Sequence, residues 1–116
     1  MNTKSIKAND VTDLDTAIEY TIGMLGSDVE KELSNISEDD FTAQAHRGLG
    51  TFIRNSLNLW SSESVLVIWF KKTYQIAHAD DMSGIILRTL YRRIKNKPLH
   101  INKQVKKYLD YWKNSE

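Results

Sequence analysis

The chain has 116 residues, of which 41% are hydrophobic and 27% charged, a balance that favours one globular domain with its own core over intrinsic disorder. It contains no cysteine, which excludes disulfides and thiolate metal sites. Its longest apolar run, Val65 to Phe70, is far too short to cross a bilayer, and its polar start lacks the apolar stretch of a signal peptide. We therefore expect a cytoplasmic protein with no membrane insertion.

The net charge of +1 conceals a division along the chain. Residues 1–69 carry five basic and eleven acidic side chains, whereas residues 70–116 carry eleven basic and four acidic ones. Part of this division follows from helix electrostatics, since acids favour helix starts and bases favour helix ends. The surplus beyond that effect predicts a charged partner.

The beginning of the chain predicts an arm followed by a helix. Residues 1–10 are expected to form a flexible N-terminal arm, and residues 11–116 a single helical domain. Thr12 with Asp15 resembles a capping box, and apolar side chains then recur at helical spacing until Gly26. A first helix is therefore predicted to begin near Thr12 and to end at Gly26.

Two further start signals follow in the first half. Ser27 with Glu30 opens a short second helix, and Ser37 with Asp40 opens a third. The apolar periodicity after Ser37 continues without interruption, so the third helix is predicted to extend towards Trp60.

The second half contains one ambiguous segment and two strong helices. Residues 65–76 have β propensity, but Val65, Ile68, Trp69 and Ile76 also fit one helical face. The lack of a convincing partner strand favours a helix. Asp80 begins the next helix, and Pro98 separates it from a last amphipathic helix over residues 101–112. The predicted fold is all-α, a compact single-domain bundle of about five to six short helices.

The segment from His46 to Gly50 places two glycines inside the predicted third helix, where each costs about 1 kcal/mol relative to alanine. Glycine at such a position often admits the close approach of a neighbouring helix. The segment is not a phosphate-binding loop, because it follows no strand and lacks the glycine spacing and the Gly-Lys-Ser/Thr sequence of such loops.

Polar side chains of the third helix and of the Asp80 helix start form a candidate binding pocket. They are His46, Arg54, Asn55, His78, Asp80 and Asp81. One interpretation is a functional pocket in which Arg54 recognises an anionic group and His46 transfers a proton. The other is a structural network, because carboxylates at a helix start can pair with a partly buried arginine. We assign no catalytic residue, cofactor or metal ligand, since the histidines and acids lack metal-binding spacings.

Charged surfaces supply two further candidates. An acidic partner surface, suited to a basic protein, is predicted at Asp28, Glu30, Glu32, Glu38, Asp39 and Asp40. The Lys- and Arg-rich faces of the last two helices, with Tyr91 and Tyr111 as stacking groups, are candidates for nucleic-acid binding. The near-neutral charge of the whole chain makes nucleic acid the less favoured partner.

Several of these stretches together resemble a bacterial family of helical proteins described as a domain of unknown function. The likeness rests on Gly48-Leu-Gly-x-x-Ile53-Arg-Asn, on Leu59-Trp60 and on Asp80-Asp-Met-Ser-Gly-Ile-Ile-Leu, and it covers residues 11 to 112. The resemblance implies a bacterial source and a helical domain, and it brings no activity.

The favoured functional hypothesis is a non-enzymatic bacterial protein-interaction module, of the kind represented by immunity or toxin-neutralising proteins. One alternative is a small-molecule-binding or catalytic pocket around Arg54, His46, Asp80 and Asp81. The other is nucleic-acid binding by the basic C-terminal helices.

Overall fold

The computed structural model describes residues 6–115, which contain seven α-helices and no β-strand. The predicted all-α fold is confirmed. The helices are α1 (Leu14–Leu25), α2 (Val29–Leu33), α3 (Glu38–Ala45), α4 (Leu49–Ser56), α5 (Val65–Tyr74), α6 (Ala79–Ile94) and α7 (Ile101–Asn114). No helix within residues 6–115 combines the length and the apolar character needed to cross a membrane.

The predicted N-terminal arm is described only in part. Residues 1–5 lie outside the described residues. A short 3₁₀ turn, Ala8–Asp10, precedes α1, and the side chains of Ile6 and Ala8 pack against the hydrophobic core. The chain therefore contacts the core several residues before α1 begins.

Helix α6 is the centre of the fold. Ten of its sixteen residues are buried, among them Met82, Ile85 and Leu90. A helix with buried side chains around most of its circumference must be surrounded by other elements, and α1, α3, α4 and α7 pack against it. Side chains from these neighbours are thereby brought to its first turn, which holds Asp80 and Asp81.

The predicted helix caps are present only in part. Asp80, predicted at or near the N-cap of its helix, makes no capping hydrogen bond within residues 6–115, and α6 begins at Ala79 after His78. Ser37 accepts a hydrogen bond from the backbone N–H of Asp40 (3.1 Å), as its sequence predicts. The capping box of α1 lies one residue later than predicted. The Asp13 carboxylate accepts from the N–H of Thr16 (2.9 Å), and the Thr16 hydroxyl accepts from the N–H of Asp13 (3.1 Å). Helix α2 begins without a side-chain cap among the described residues.

The third predicted helix is divided in the structure. The backbone angles of Gly48 (φ −92°, ψ −86°) lie outside the helical region, so the chain turns between α3 and α4. Glycine tolerates this conformation, and the turn leaves the carbonyl of His46 available to Arg54. The prediction of one continuous helix towards Trp60 was wrong, because apolar periodicity does not register a local turn.

The ambiguous segment at residues 65–76 is confirmed as helical. Helix α5 ends at Tyr74. The next residue, Gln75, has a left-handed backbone (φ 61°), and its N–H donates to the carbonyl of Lys71. The helix is confirmed, but its buried face is not the predicted one. Val65 is 60% and Ile68 50% exposed, whereas Val67 is buried together with Leu66 and Phe70.

Candidate functional site

Asp80 and Asp81 are neighbours in the first turn of α6, but their carboxylates have different surroundings. The Asp80 side chain is 63% exposed, and its Oδ1 lies 3.4 Å from Nε of Arg54. Asp81 is only 8% exposed, and its Oδ2 accepts a hydrogen bond of 2.7 Å from the indole N–H of Trp112. One carboxylate therefore faces α4, and the other faces α7.

Arg54 is buried and joins α4 both to α6 and to the turn after α3. It donates to the Ser83 hydroxyl (2.8 Å) and the Thr51 hydroxyl (3.0 Å). It also donates to the backbone carbonyl of His46 (3.1 Å). The contact to Asp80 is ionic and lacks hydrogen-bond geometry at Nε. Because the guanidinium directs three hydrogen bonds to groups inside the fold, its surroundings favour a structural role.

Gly50 makes room for the Arg54 network. A Cβ at this position would lie 3.0 Å from Nη1 of Arg54 and 3.1 Å from the carbonyl oxygen of Ala45. Leu87 of α6 would be 3.6 Å away, so a neighbouring helix does approach Gly50 closely, as the sequence predicts. A Cβ at Gly48 would meet nothing within 4 Å, and that glycine serves the turn instead.

Helix α7 packs against the start of α6 through two aromatic side chains. The Tyr108 hydroxyl lies directly against Gly84, where a Cβ would overlap it and would be 3.3 Å from the ring carbon Cζ. Trp112 stacks on the imidazole of His78, with ring centres 3.9 Å apart and planes inclined by 16°. Since Trp112 also donates to Asp81, one indole positions two polar side chains.

Burial raises the pKa of Asp81 above its ordinary value. The hydrogen bond from Trp112 and the nearby His78 lower this pKa in part, and the charge of Asp80 raises it further. Burial, and then the nearby Asp81 carboxylate, also raise the pKa of the Tyr108 hydroxyl. A carboxylate whose charged form is penalised by burial gains from a cationic partner.

The two aspartates line an open groove between α3, α6 and α7, called the aspartate groove below. It has two adjoining parts, of about 590 and 460 Å³, which share Asp80, Asp81, Lys107 and Tyr108 as lining residues. Within residues 6–115, Lys107 forms no ion pair with either carboxylate. Among the same residues, no group of three or more His, Asp or Glu side chains could hold a metal ion.

Five of the six predicted pocket residues lie at the aspartate groove or contact it. His46 lines its first part and His78 its second, together with the two aspartates. Arg54 touches the groove only through its ionic contact and is otherwise buried. Asn55 lies outside it, where it is exposed and accepts a hydrogen bond of 3.0 Å from the indole N–H of Trp60.

The predicted acidic partner surface is partly neutralised by the protein itself. Glu38 pairs with Arg88 (2.6 Å) and Arg92 (3.1 Å), and Asp39 pairs with Arg88 (3.1 Å). These ion pairs join α3 to α6, so acids of the first half of the chain compensate bases of the second half. The other four acids of that surface are exposed: Asp28, Glu30, Glu32 and Asp40.

The aromatic residues proposed for nucleic-acid stacking differ in their accessibility. Tyr91 is 2% exposed, and its hydroxyl donates to the carbonyl of Ile36 (2.6 Å). Its ring also packs against Phe41. Tyr91 is therefore a core residue that is not available to stack on a base, whereas Tyr111 is exposed.

Sequence reasoning missed Tyr108, Trp112 and Gly84 as parts of the site. Apolar periodicity places both aromatic residues on the buried face of the last helix without distinguishing them from its core residues. The available signal was Gly84, because a glycine inside a strong helix marks a close approach. Which side chain approaches it depends on how α7 docks, and no local pattern encodes that docking.

A family model matches most of the chain. The family described as "Domain of unknown function (DUF6794)" matches residues 12–94, more than two thirds of the length. The predicted resemblance to a domain of unknown function is confirmed over that range, which ends before α7 and short of the predicted limit at residue 112. No curated protein and no solved structure matches the chain significantly.

Proposed function

We propose that this chain, which belongs to the DUF6794 family, is a protein-binding module that recognises a basic partner protein through the aspartate groove. The proposed contact is an arginine side chain of the partner, bound beside Trp112 and the carboxylates of Asp80 and Asp81. One observation carries the proposal: a buried carboxylate, bonded to an indole that stacks on His78, borders an open groove.

The charge of Asp81 is incompletely compensated inside the protein. Within residues 6–115 its side chain accepts one hydrogen bond, from Trp112, and burial raises its pKa. A guanidinium group beside it would replace the lost hydration with charge-assisted hydrogen bonds. Asp80 is a second acceptor on the same groove, since its only ionic contact among the described residues is the 3.4 Å approach of Arg54.

The aromatic side chains of the groove favour arginine over lysine. Trp112 and Tyr111 are both partly exposed, with ring centres 5.1 Å apart in an edge-to-face arrangement. A planar guanidinium stacks on aromatic faces and binds carboxylates in bidentate fashion, whereas an ammonium group is a compact, strongly hydrated charge. The combination of rings and carboxylates therefore fits a guanidinium better.

The proposal concerns a binding protein rather than an enzyme. Neutralisation of a basic toxin, as in immunity proteins, is the specific form that we favour, and the absence of cysteine suits a bacterial cytoplasm. Long-range attraction of a basic partner would come from the exposed acids Asp28, Glu30, Glu32 and Asp40. Contacts in the aspartate groove would then supply specificity.

The test uses fluorescein-labelled peptides in which glycine alternates with arginine, lysine or glutamate. Fluorescence anisotropy at low and moderate salt is expected to rank arginine above lysine, with no binding of the glutamate peptide. In a ¹H–¹⁵N NMR titration, the arginine peptide should shift the indole N–H signal of Trp112. Asp81→Asn and Trp112→Phe should each weaken binding at least about threefold, the scale of one lost charge-assisted contact.

Two variants serve as matched controls for this test. Glu63→Gln removes one exposed acid, and Trp60→Phe alters one exposed tryptophan. Neither residue lines the aspartate groove. Both should bind the arginine peptide as the unmodified protein does. Equal losses in Glu63→Gln and Asp81→Asn would contradict binding in the groove and indicate general attraction to acidic side chains.

A further inference from the structure

A separate cavity of about 170 Å³ lies between the N-terminal half of α7 and the C-terminal half of α6. It is lined by Arg88, Arg92, His100, Lys103, Gln104, Lys107 and Tyr108, with Glu38 on the side of α3. The proposed arginine contact does not use this cavity, although Arg88, Lys107 and Tyr108 also line the aspartate groove. Two features of this lining indicate a ligand: the excess of cationic side chains and the buried amide of Gln104.

The cavity has a surplus of positive charge. Four permanently cationic side chains line it against one acid, Glu38, which pairs with Arg88 and Arg92. Arg88 also pairs with Asp39, so the uncompensated charge lies on Lys103 and Lys107. Lys103 and Lys107 stand four residues apart on α7, a like-charge spacing that destabilises an isolated helix. Within residues 6–115 neither lysine forms an ion pair. An anion in the cavity would relieve this repulsion.

Gln104 supplies the second, independent observation. The residue is 8% exposed, and its Nε2 donates to the carbonyl of Leu99 (2.9 Å) and to the Thr89 hydroxyl (3.2 Å). Because the Leu99 carbonyl can only accept, the orientation of the amide is fixed. Its Oε1 is buried and has no hydrogen-bond partner among the described residues. A buried acceptor without a partner lowers the stability of a protein by about 1–3 kcal/mol. A hydrogen-bond donor beside this oxygen would remove that penalty.

We propose that this cavity binds a small anion that carries its own hydroxyl group, namely inorganic phosphate or the monoprotonated form of a small phosphomonoester. The cationic side chains neutralise the anion. Its P–OH donates to Oε1 of Gln104 once the side chains that bury this oxygen shift on binding. Helix α7 starts after His100 without a side-chain cap, so its first N–H groups and its dipole add to the attraction. The volume is below the roughly 300 Å³ at which pockets for drug-sized ligands begin, which limits the ligand to a small one.

A comparison of phosphate binding with sulfate binding distinguishes this site from a surface that attracts anions by charge alone. Slightly below neutral pH phosphate retains at least one proton, whereas sulfate retains none and cannot donate to Gln104. An NMR titration at constant ionic strength should shift the side-chain amide signals of Gln104 with phosphate at concentrations where sulfate has little effect. Equal responses to the two anions would overturn the proposal, because the donor would then play no part.

Variants in α7 provide a second test of the proposal. Lys103→Gln should weaken phosphate binding at least about threefold, whereas Lys113→Gln, which removes an equal charge outside the cavity, should change it less than about twofold. Gln104→Met should remove the preference for phosphate over sulfate while leaving weak anion binding. Equal losses of phosphate affinity in Lys103→Gln and Lys113→Gln would overturn the proposal that this cavity is a specific anion site.

The source of the phosphate group is resolved by two further ligands. Glycerol 3-phosphate should compete with inorganic phosphate at about pH 6, where much of its phosphate group still carries a proton. Vesicles of phosphatidylcholine with phosphatidic acid should not bind more tightly than vesicles of phosphatidylcholine alone. Binding of the phosphatidic acid vesicles without binding of the free phosphates would overturn a small soluble ligand.

Discussion

The two sides of the α6 start use similar polar residues, but they differ in how completely those residues are satisfied. On the α4 side, Arg54 donates three hydrogen bonds inside the fold, and Gly50 fits closely against it. On the α7 side, Asp81 has one hydrogen bond and a raised pKa beside a groove of about 460 Å³. Internally satisfied polar groups stabilise a fold, whereas a buried charge with capacity for another partner suits recognition. The contrast therefore favours a structural role for the α4 side and a binding role for the α7 side.

The largest expected effect is that of Arg54→Ala, which should lower the free energy of unfolding by about 3 kcal/mol. The substitution removes a buried side chain together with its hydrogen bonds to Ser83, Thr51 and the His46 carbonyl. Arg54→Lys keeps the charge but loses the planar fork, so it should cost about half as much. Urea unfolding measures both. A loss below about 1 kcal/mol for Arg54→Ala would contradict a structural role for this network.

The next effect compares two glycines in helices. Gly50→Ala should destabilise the protein by about 1–2 kcal/mol, because its Cβ would press on Arg54 and on the immobile carbonyl of Ala45. Gly23→Ala is the matched control, since a Cβ there would meet nothing within 4 Å. It should stabilise α1 by about 0.5–1 kcal/mol through helix propensity. Urea midpoints that move in the same direction for both variants would argue against a close fit at Gly50.

The same comparison shows what the sequence can and cannot predict. Local signals suffice for the Ser37 cap and for the helical character of residues 65–76, because both depend on neighbours in the chain. The turn at Gly48 and the contact of Trp112 with Asp81 depend on how distant helices dock. The sequence placed the five groove-associated residues in one candidate set, but not the α7 side chains that complete the groove.

The different roles of Asp80 and Asp81 follow from helix geometry. Successive residues of an α-helix point about 100° apart, so two adjacent acids face different neighbours. Pairing both with Arg54, as the sequence analysis considered, would require them to share one face. Only Asp80 contacts Arg54, and Asp81 turns to Trp112.

A smaller effect is expected from Trp112→Phe, which removes the N–H donor but keeps a ring that can stack on His78. Because the Trp112 hydrogen bond lowers the pKa of Asp81 in part, that pKa should rise further, as an NMR titration of the side-chain carboxyl would show. The free energy of unfolding at neutral pH should fall by about 1 kcal/mol. Trp60→Phe loses an exposed hydrogen bond to Asn55 but keeps an aromatic ring near Arg54, so it should change the free energy of unfolding by less than about 0.5 kcal/mol. An unaltered Asp81 pKa in Trp112→Phe would contradict the assigned contact.

The smallest expected effect on stability is that of Asp81→Asn. It is also the most specific, because this variant should change stability and peptide binding in opposite directions. The folded-state pKa of Asp81 is raised, so the group stabilises the protein below its unfolded pKa of about 4 and loses that contribution as pH rises through the folded pKa. Asp81→Asn should therefore match the unmodified protein in acid and become slightly more stable than it at neutral pH.

Urea unfolding at several pH values measures this difference. The same variant should bind the arginine peptide more weakly, because the amide lacks the negative charge that the guanidinium requires. Asp80→Asn is the matched control on the adjacent position: it should also weaken binding but without the stability gain, since its carboxylate is largely exposed. If Asp81→Asn became less stable than the unmodified protein as the pH rises, the ionised carboxylate would stabilise the fold. The polar groups on the α7 side would then have a structural role, as they do on the α4 side.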